Sequence, residues 1–111
     1  MTGTAGGHRR IDERSLALHQ AIADKLRADP SLLEIARENL HRWSRQNGRS
    51  QPYWDAWRKL LDGPFEELLA SMVETSERMT AMRQATPFAG VLPPAERWAI
   101  FQKFERRAGS L

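Results

Sequence analysis

Apolar residues recur along this chain at helical spacing. Ile11, Leu18, Ile22 and Leu26 follow at intervals of seven, four and four, laying one apolar stripe along a first helix. Asp29-Pro30 ends it, because the residue before proline is driven out of the α region, while proline itself suits the first turn of the next helix. Leu33, Ala36, Leu40 and Trp43 mark a second helix. Asn47-Gly48 closes it, with Gly48 expected in the left-handed conformation of a C-terminal cap. Ser50-Gln51-Pro52 opens a short third helix carrying Tyr53, Trp54, Trp57, Leu60 and Leu61, which stops at Asp62-Gly63-Pro64. A fourth helix, predicted to be the longest, runs from about Pro64 to Ala85 with Phe65, Leu68, Leu69, Met72, Val73 and Met79 on one face. Glu66 and Glu67 in its first turn and Arg83 in its last suit the helix dipole. Residues 86–94, Thr-Pro-Phe-Ala-Gly-Val-Leu-Pro-Pro, cannot be helix and form the one long connection. A fifth helix follows from about Pro94 to Arg107, with Trp98, Phe101 and Phe104 inward. No stretch alternates as a strand would. The pattern predicts an all-α fold: a compact array or bundle of about five helices without a sheet. Residues 1–10 are expected as a disordered tail, 11–107 as a single helical domain and 108–111 as a C-terminal tail.

Composition narrows the class. At 111 residues and 41% hydrophobic, the chain fits one small domain with room for a real core. Having no cysteine, it has no disulfide scaffold, thiol nucleophile or thiolate zinc site. No apolar run approaches the roughly 20 residues needed to cross a bilayer, and the first ten residues lack the apolar core of a secretory leader, so a cytoplasmic protein without a membrane partner is expected. The net charge is +3, and 14 of the 17 basic residues are arginine. Acids dilute the bases throughout, unlike the one-sided charge of a nucleic-acid binder. Arginine also pairs in planar fashion with a partner's carboxylates.

Catalytic chemistry is thinly represented. Glu38 and His41 have the Glu-x-x-His spacing of a di-iron bundle, but such sites need two copies and further carboxylates, and only one copy is present. A solvated pair is the simpler reading. Zincin, phosphate-loop, dinucleotide and nucleophile-elbow motifs are all missing. Asp55, Asp62 and Glu66 lie close in sequence around helix ends, where carboxylates ordinarily serve as caps. The expectation is a non-enzyme with no catalytic residue, cofactor or metal.

Two surface readings remain. Arg37, His41 and Arg45 recur every four residues, with Arg42 and Arg49 nearby, as a phosphate-facing ridge of a small DNA-binding transcriptional regulator would require. Glu34 and Glu38 interrupt it, as on the solvated face of any amphipathic helix. The turn Gly48-Arg49-Ser50-Gln51 has helix-turn-helix length, but the helix after it is rich in Trp and Leu. Trp43, Tyr53, Trp54 and Trp57 fall within fifteen positions, too many for one narrow core seam. Either the short third helix is buried on two sides, or some of these rings anchor a partner. Met72, Met79 and Met82 fit core filling or an adaptable docking face. Phe88, Val91 and Leu92 in the long loop either tuck under helix ends or dock outward from a stiff, proline-bounded segment.

The tract Thr86-Pro87-Phe88-Ala89-Gly90-Val91-Leu92-Pro93-Pro94-Ala95-Glu96-Arg97-Trp98-Ala99-Ile100, with Arg14-Ser15-Leu16-Ala17-Leu18-His19, resembles small all-helical bacterial proteins of the antitoxin kind. These are encoded beside a toxin enzyme that they bind and silence. The resemblance spans roughly residues 11 to 104 and includes no DNA-binding arm or ribbon. It implies a protein-binding module of a toxin–antitoxin system that covers a basic or apolar active-site entrance of its partner. Tyr53, Trp54, Trp57 and Phe88 are the expected contact residues, with Arg42, Arg45 and Arg49 pairing with carboxylates. The expected partner is another protein, a toxin enzyme, or a second copy of the chain; nucleic acid is the alternative. An accessory or assembly subunit would look the same in sequence.

Overall fold

The computed structural model describes residues 2–46 and 48–109, with side chains over 11–46 and 48–106. Helix α1 spans Thr2–Ala28, followed by a 3-10 turn at Pro30–Leu32, α2 at Leu33–Trp43, α3 at Gln51–Asp62, α4 at Phe65–Met72, α5 at Glu77–Gln84 and α6 at Pro94–Gly109. Among the described residues there is no strand, and the fold is all-α as the periodicity predicts. Helical backbone starts at Thr2 rather than Ile11 and reaches Gly109 rather than Arg107; Met1, Asn47, Ser110 and Leu111 lie outside the described residues.

Among the described residues there are six α-helices rather than about five, because the predicted long helix over 64–85 is two short ones. Phe65, Leu68, Leu69 and Met72 keep helical spacing, but the next inward positions are Thr75 and Ser76, which are polar. Ser76 caps α5 instead, its hydroxyl accepting from the Met79 amide at 3.2 Å. The carbonyls freed at the end of α4 are taken up by a buried guanidinium: Arg83 Nη1 donates to Met72 O at 3.1 Å and to Glu74 O at 2.7 Å. Arg83 Nε is left as a buried side-chain polar atom without a partner among the described residues. Burial draws the Arg83 pKa below its ordinary value, opposed by Asp12 and Glu74.

Helix α1 organises the rest, touching the 3-10 turn, α4, α5 and α6, while α2 packs on α3, α3 on α4 and α4 on α5. The shared core contains Ile22, Leu26, Ala36, Leu40, Trp57, Leu61, Leu68, Leu69, Met72, Met79 and Met82. The predicted stripe of α1 is buried only in its C-terminal half; Ile11 stays exposed.

Residues 85–93 pass through this core without regular structure. Pro87, Phe88, Val91 and Leu92 are buried. A turn over Phe88–Val91 is closed by the Val91 amide on Phe88 O at 3.1 Å. Its third residue, Gly90, has φ 95°, as a type II turn requires. The expected cap at Asn47-Gly48 involves Asn47, which lies outside the described residues; the positive φ among the described residues is at Gly90. A Cβ at Gly90 would meet Ile35 Cγ2 at 3.6 Å, an ordinary contact. Replacing Gly90 by Ala should therefore cost only the backbone penalty, about 1 kcal/mol. Urea denaturation with an unchanged slope checks this, and a loss several times larger would show that the turn is held by more than its dihedral angle.

Candidate functional site

Three rings meet where α1, α3 and the 85–93 segment converge. Trp57 and Phe88 are edge-to-face with centroids 5.4 Å apart, and His19 stacks on Trp57 at 6.4 Å while meeting Phe88 edge-on at 6.2 Å. Trp57 Nε1 donates to Met82 O at 2.8 Å. His19 Nδ1 lies 2.8 Å from Ser15 O and Nε2 lies 2.8 Å from Thr86 Oγ1. A carbonyl only accepts, so the ring proton sits on Nδ1 and Nε2 accepts from the Thr86 hydroxyl. Thr86 Oγ1 in turn accepts from the Phe88 amide at 3.3 Å. Burial holds the His19 pKa down at about 4; the Ser15 hydrogen bond opposes this, and the Arg83 charge adds to the lowering.

These positions correct part of the expected contact set. Trp57 and Phe88 are 0% and 1% exposed, so they are core and cannot anchor a partner. Their large rings fill the gap that a helix-free segment leaves between α1 and α3. Tyr53 is exposed and Trp54 half-buried, with Trp54 packed on Trp43 at 5.6 Å between centroids. Trp43, Trp54, Gln46, Ser50, Ala85 and Thr86 line a groove of about 300 Å³. Arg42, Arg45 and Arg49 are exposed on α2 and on the turn leading to Ser50. Arg42 donates to Asn39 Oδ1 at 2.5 Å, and Arg45 Nη2 lies 3.3 Å from His41 Nε2. Arg37 is engaged elsewhere, donating to Asp62 at 2.8 Å and to Leu61 O at 2.7 Å. The remaining acids of that sequence cluster also have separate cationic partners, Asp55 with Arg58 and Glu66 with Arg27.

A groove of about 630 Å³ between α2 and α3 contains Glu34, Glu38, His41 and Asp62 beside Leu40 and Leu61. The described residues nevertheless bring together no group of three or more His, Cys, Asp or Glu spaced to hold a metal ion. Nor is any helix among them long and apolar enough to cross a membrane.

The surface feature missed in the periodicity is on α6. Trp98, expected inward, is 62% exposed, while Phe101 and Phe104 are half-buried. Trp98 and Phe101 line a groove of about 320 Å³ with Gly90, Leu92, Pro94 and Arg97. The Phe101 ring carries two guanidinium groups, Arg14 from α1 at 4.9 Å and Arg97 from its own helix at 5.4 Å. The signal was available: Trp98 sits one residue after Arg97 and three before Phe101, so the two rings flank one stripe of a helix that packs on α1.

Compared with known protein families, curated proteins and solved structures, the chain finds no match in any of the three.

His19 makes acid stability a sharp readout of this core. Its unfolded pKa is near 6.5 and its folded pKa about 4, so between these values the unfolded state binds the proton first. Stability should be unaffected by this group above pH 6.5 and should fall by roughly 3 kcal/mol as pH drops to 4. In His19→Leu, chemical denaturation should show that decline between pH 6.5 and 4.5 removed, even with lower stability at pH 7. A decline of the same size in the variant would assign it to other groups.

Proposed function

We propose that this chain is a non-enzymatic protein-binding module that neutralises a partner enzyme, as an antitoxin-like protein does. The observation that carries this is the 62% exposure of Trp98 beside Phe101 and two arginines. Leaving a tryptophan in water forgoes about 2 kcal/mol of burial that a core position would return. Trp and Arg together are the residue types that dominate interface hot spots. The Trp43–Trp54 groove offers a further aromatic contact area, and Tyr53, Arg42, Arg45 and Arg49 are exposed at neighbouring positions of the chain. Inhibition is steric in this reading: a rigid helical surface covers the entrance of the partner's active site.

The ridge reading is weaker by the same geometry. Its first member, Arg37, is held by Asp62 and the Leu61 carbonyl.

Co-expression with the product of the neighbouring gene tests the proposal. A complex should form, growth inhibited by that product should recover, and Trp98→Ala should weaken the complex about 30-fold, the scale of an aromatic hot spot. A harmless neighbour that does not bind overturns the reading. DNA binding whose affinity falls steeply with salt would place the chain among regulators instead.

A further inference from the structure

Behind the α6 groove lies a smaller recess of about 90 Å³ between α1 and the 85–93 segment, walled by Leu18, Ile22, Phe88 and Leu92. Gly90, Leu92 and Arg97 line both spaces, so the recess adjoins the groove at the Arg97 side chain. Its inner end is formed by His19 and Thr86, whose polar atoms are already paired with each other and with Ser15 O and the Phe88 amide. The recess therefore presents an apolar interior. A cavity of roughly 150 Å³ holds a benzene ring; this one is smaller and suits a short branched aliphatic side chain.

Charge at the mouth is one-sided. Among the described residues, neither Arg14 nor Arg97 has an ion-pair partner; both guanidinium groups lie against Phe101. The nearby acid Glu96 is bound to Lys25 at 2.8 Å. Arg97 thus borders both the apolar recess and the groove, and Arg14 lies over the half-buried Phe101 ring that lines the groove beside exposed Trp98.

We propose that this groove takes an acidic protein segment, one aliphatic side chain entering the recess while adjacent carboxylates pair with Arg97 and Arg14 and the backbone lies along Trp98. The proposal rests on the protein-binding reading above and specifies the partner's chemistry. A recess sized for a single side chain favours a polypeptide over an anionic membrane, which would need a convex apolar surface.

Two measurements test it. The first uses a capped peptide, acetyl-Glu-Asp-Leu-Asp-Glu-amide, and its Gln/Asn isostere, titrated into the 15N-labelled protein to millimolar concentration. The acidic peptide should shift the Trp98 indole signal and the Gly90 and Leu92 amides. The isostere should bind at least tenfold more weakly, as should the acidic peptide to the doubly substituted Arg14→Glu, Arg97→Glu protein, whose helicity is checked by circular dichroism. Shifts centred on Trp43 and Trp54, equal binding of the isostere, or no shift at all overturns the assignment. So does binding to phosphatidylglycerol vesicles without binding to the peptide.

The second measurement places the same double variant in the complex with the neighbouring gene product. At least tenfold weakening is expected. A complex that forms and is indifferent to these charges keeps the protein-binding reading and overturns this one. A peptide that binds as described, with no complex formed, supports the groove's specificity and overturns the antitoxin-like reading.

Discussion

The structure depends on satisfying a backbone that runs through the core without being helix. Residues 85–93 bring buried peptide groups into contact with Trp57 and α1, where an unpaired carbonyl or amide is costly. Side chains supply the partners. Buried Asn39 donates from one amide nitrogen to Pro87 O at 2.8 Å and to Ala89 O at 3.0 Å, and its own oxygen accepts from Arg42. His19 fixes the Thr86 hydroxyl, which fixes the Phe88 amide. The turn at Gly90 then closes the segment on itself. Asn39 from α2, and Thr86 of the segment itself held by His19 from α1, thereby do what a helix would have done for its own backbone.

This clamp sets the geometry of the candidate site. With Phe88 and Leu92 held inward, the chain leaves the core at Pro93-Pro94 and starts α6 at a fixed point above α1. Helix α6 makes its main helix contact with α1, which covers one flank of its apolar stripe and leaves another in solvent. Trp98 lies on the uncovered flank. The groove in front of it is bounded on one side by Gly90 and Leu92, residues of the clamped segment, and on the other by α6 itself. A side chain docking there meets walls already held in place, and binding to such a surface loses less conformational entropy than binding to a loop that must first order.

The fold class was legible because apolar spacing of three and four persists through most of the chain, and proline and glycine mark each break. What periodicity could not show was the partition of the region 64–85. Leu68, Leu69, Met72, Met79 and Met82 continue one helical stripe numerically, yet Thr75 and Ser76 interrupt it, and Ser76 gains more as a cap than as a helix interior residue. The buried Arg83 that stabilises this break reads in sequence as an ordinary basic residue at a helix end. Its role appears only once Met72 O and Glu74 O are seen within its reach. Buried Asn39 and His19 were invisible for the same reason: each has its partner 48 to 67 residues away. For the aromatic residues, spacing located the cluster but not its two sides. Trp57 and Phe88 went inside, where their rings pack on each other beside the 85–93 segment, and Trp98 stayed outside on α6.

The distribution of charge follows the same division between clamp and surface. On the α2 and α3 side two arginines are paired with carboxylates within the chain, Arg37 with Asp62 and Arg58 with Asp55. Exposed pairs of this sort contribute little stability, about 0–1 kcal/mol each, but they remove the cation from a partner's reach. Arg14 and Arg97 are placed differently. Each lies over the face of Phe101, where the ring attracts the guanidinium through its quadrupole without neutralising it. Such a contact orients the planar cation and shields one of its faces, while its outer N–H groups remain directed to solvent or to a carboxylate arriving from outside. Thus a surface that would be only greasy if Trp98 stood alone becomes selective for the sign of what approaches it. That selectivity comes from two residues 83 positions apart in sequence, brought onto one ring because α6 packs on α1.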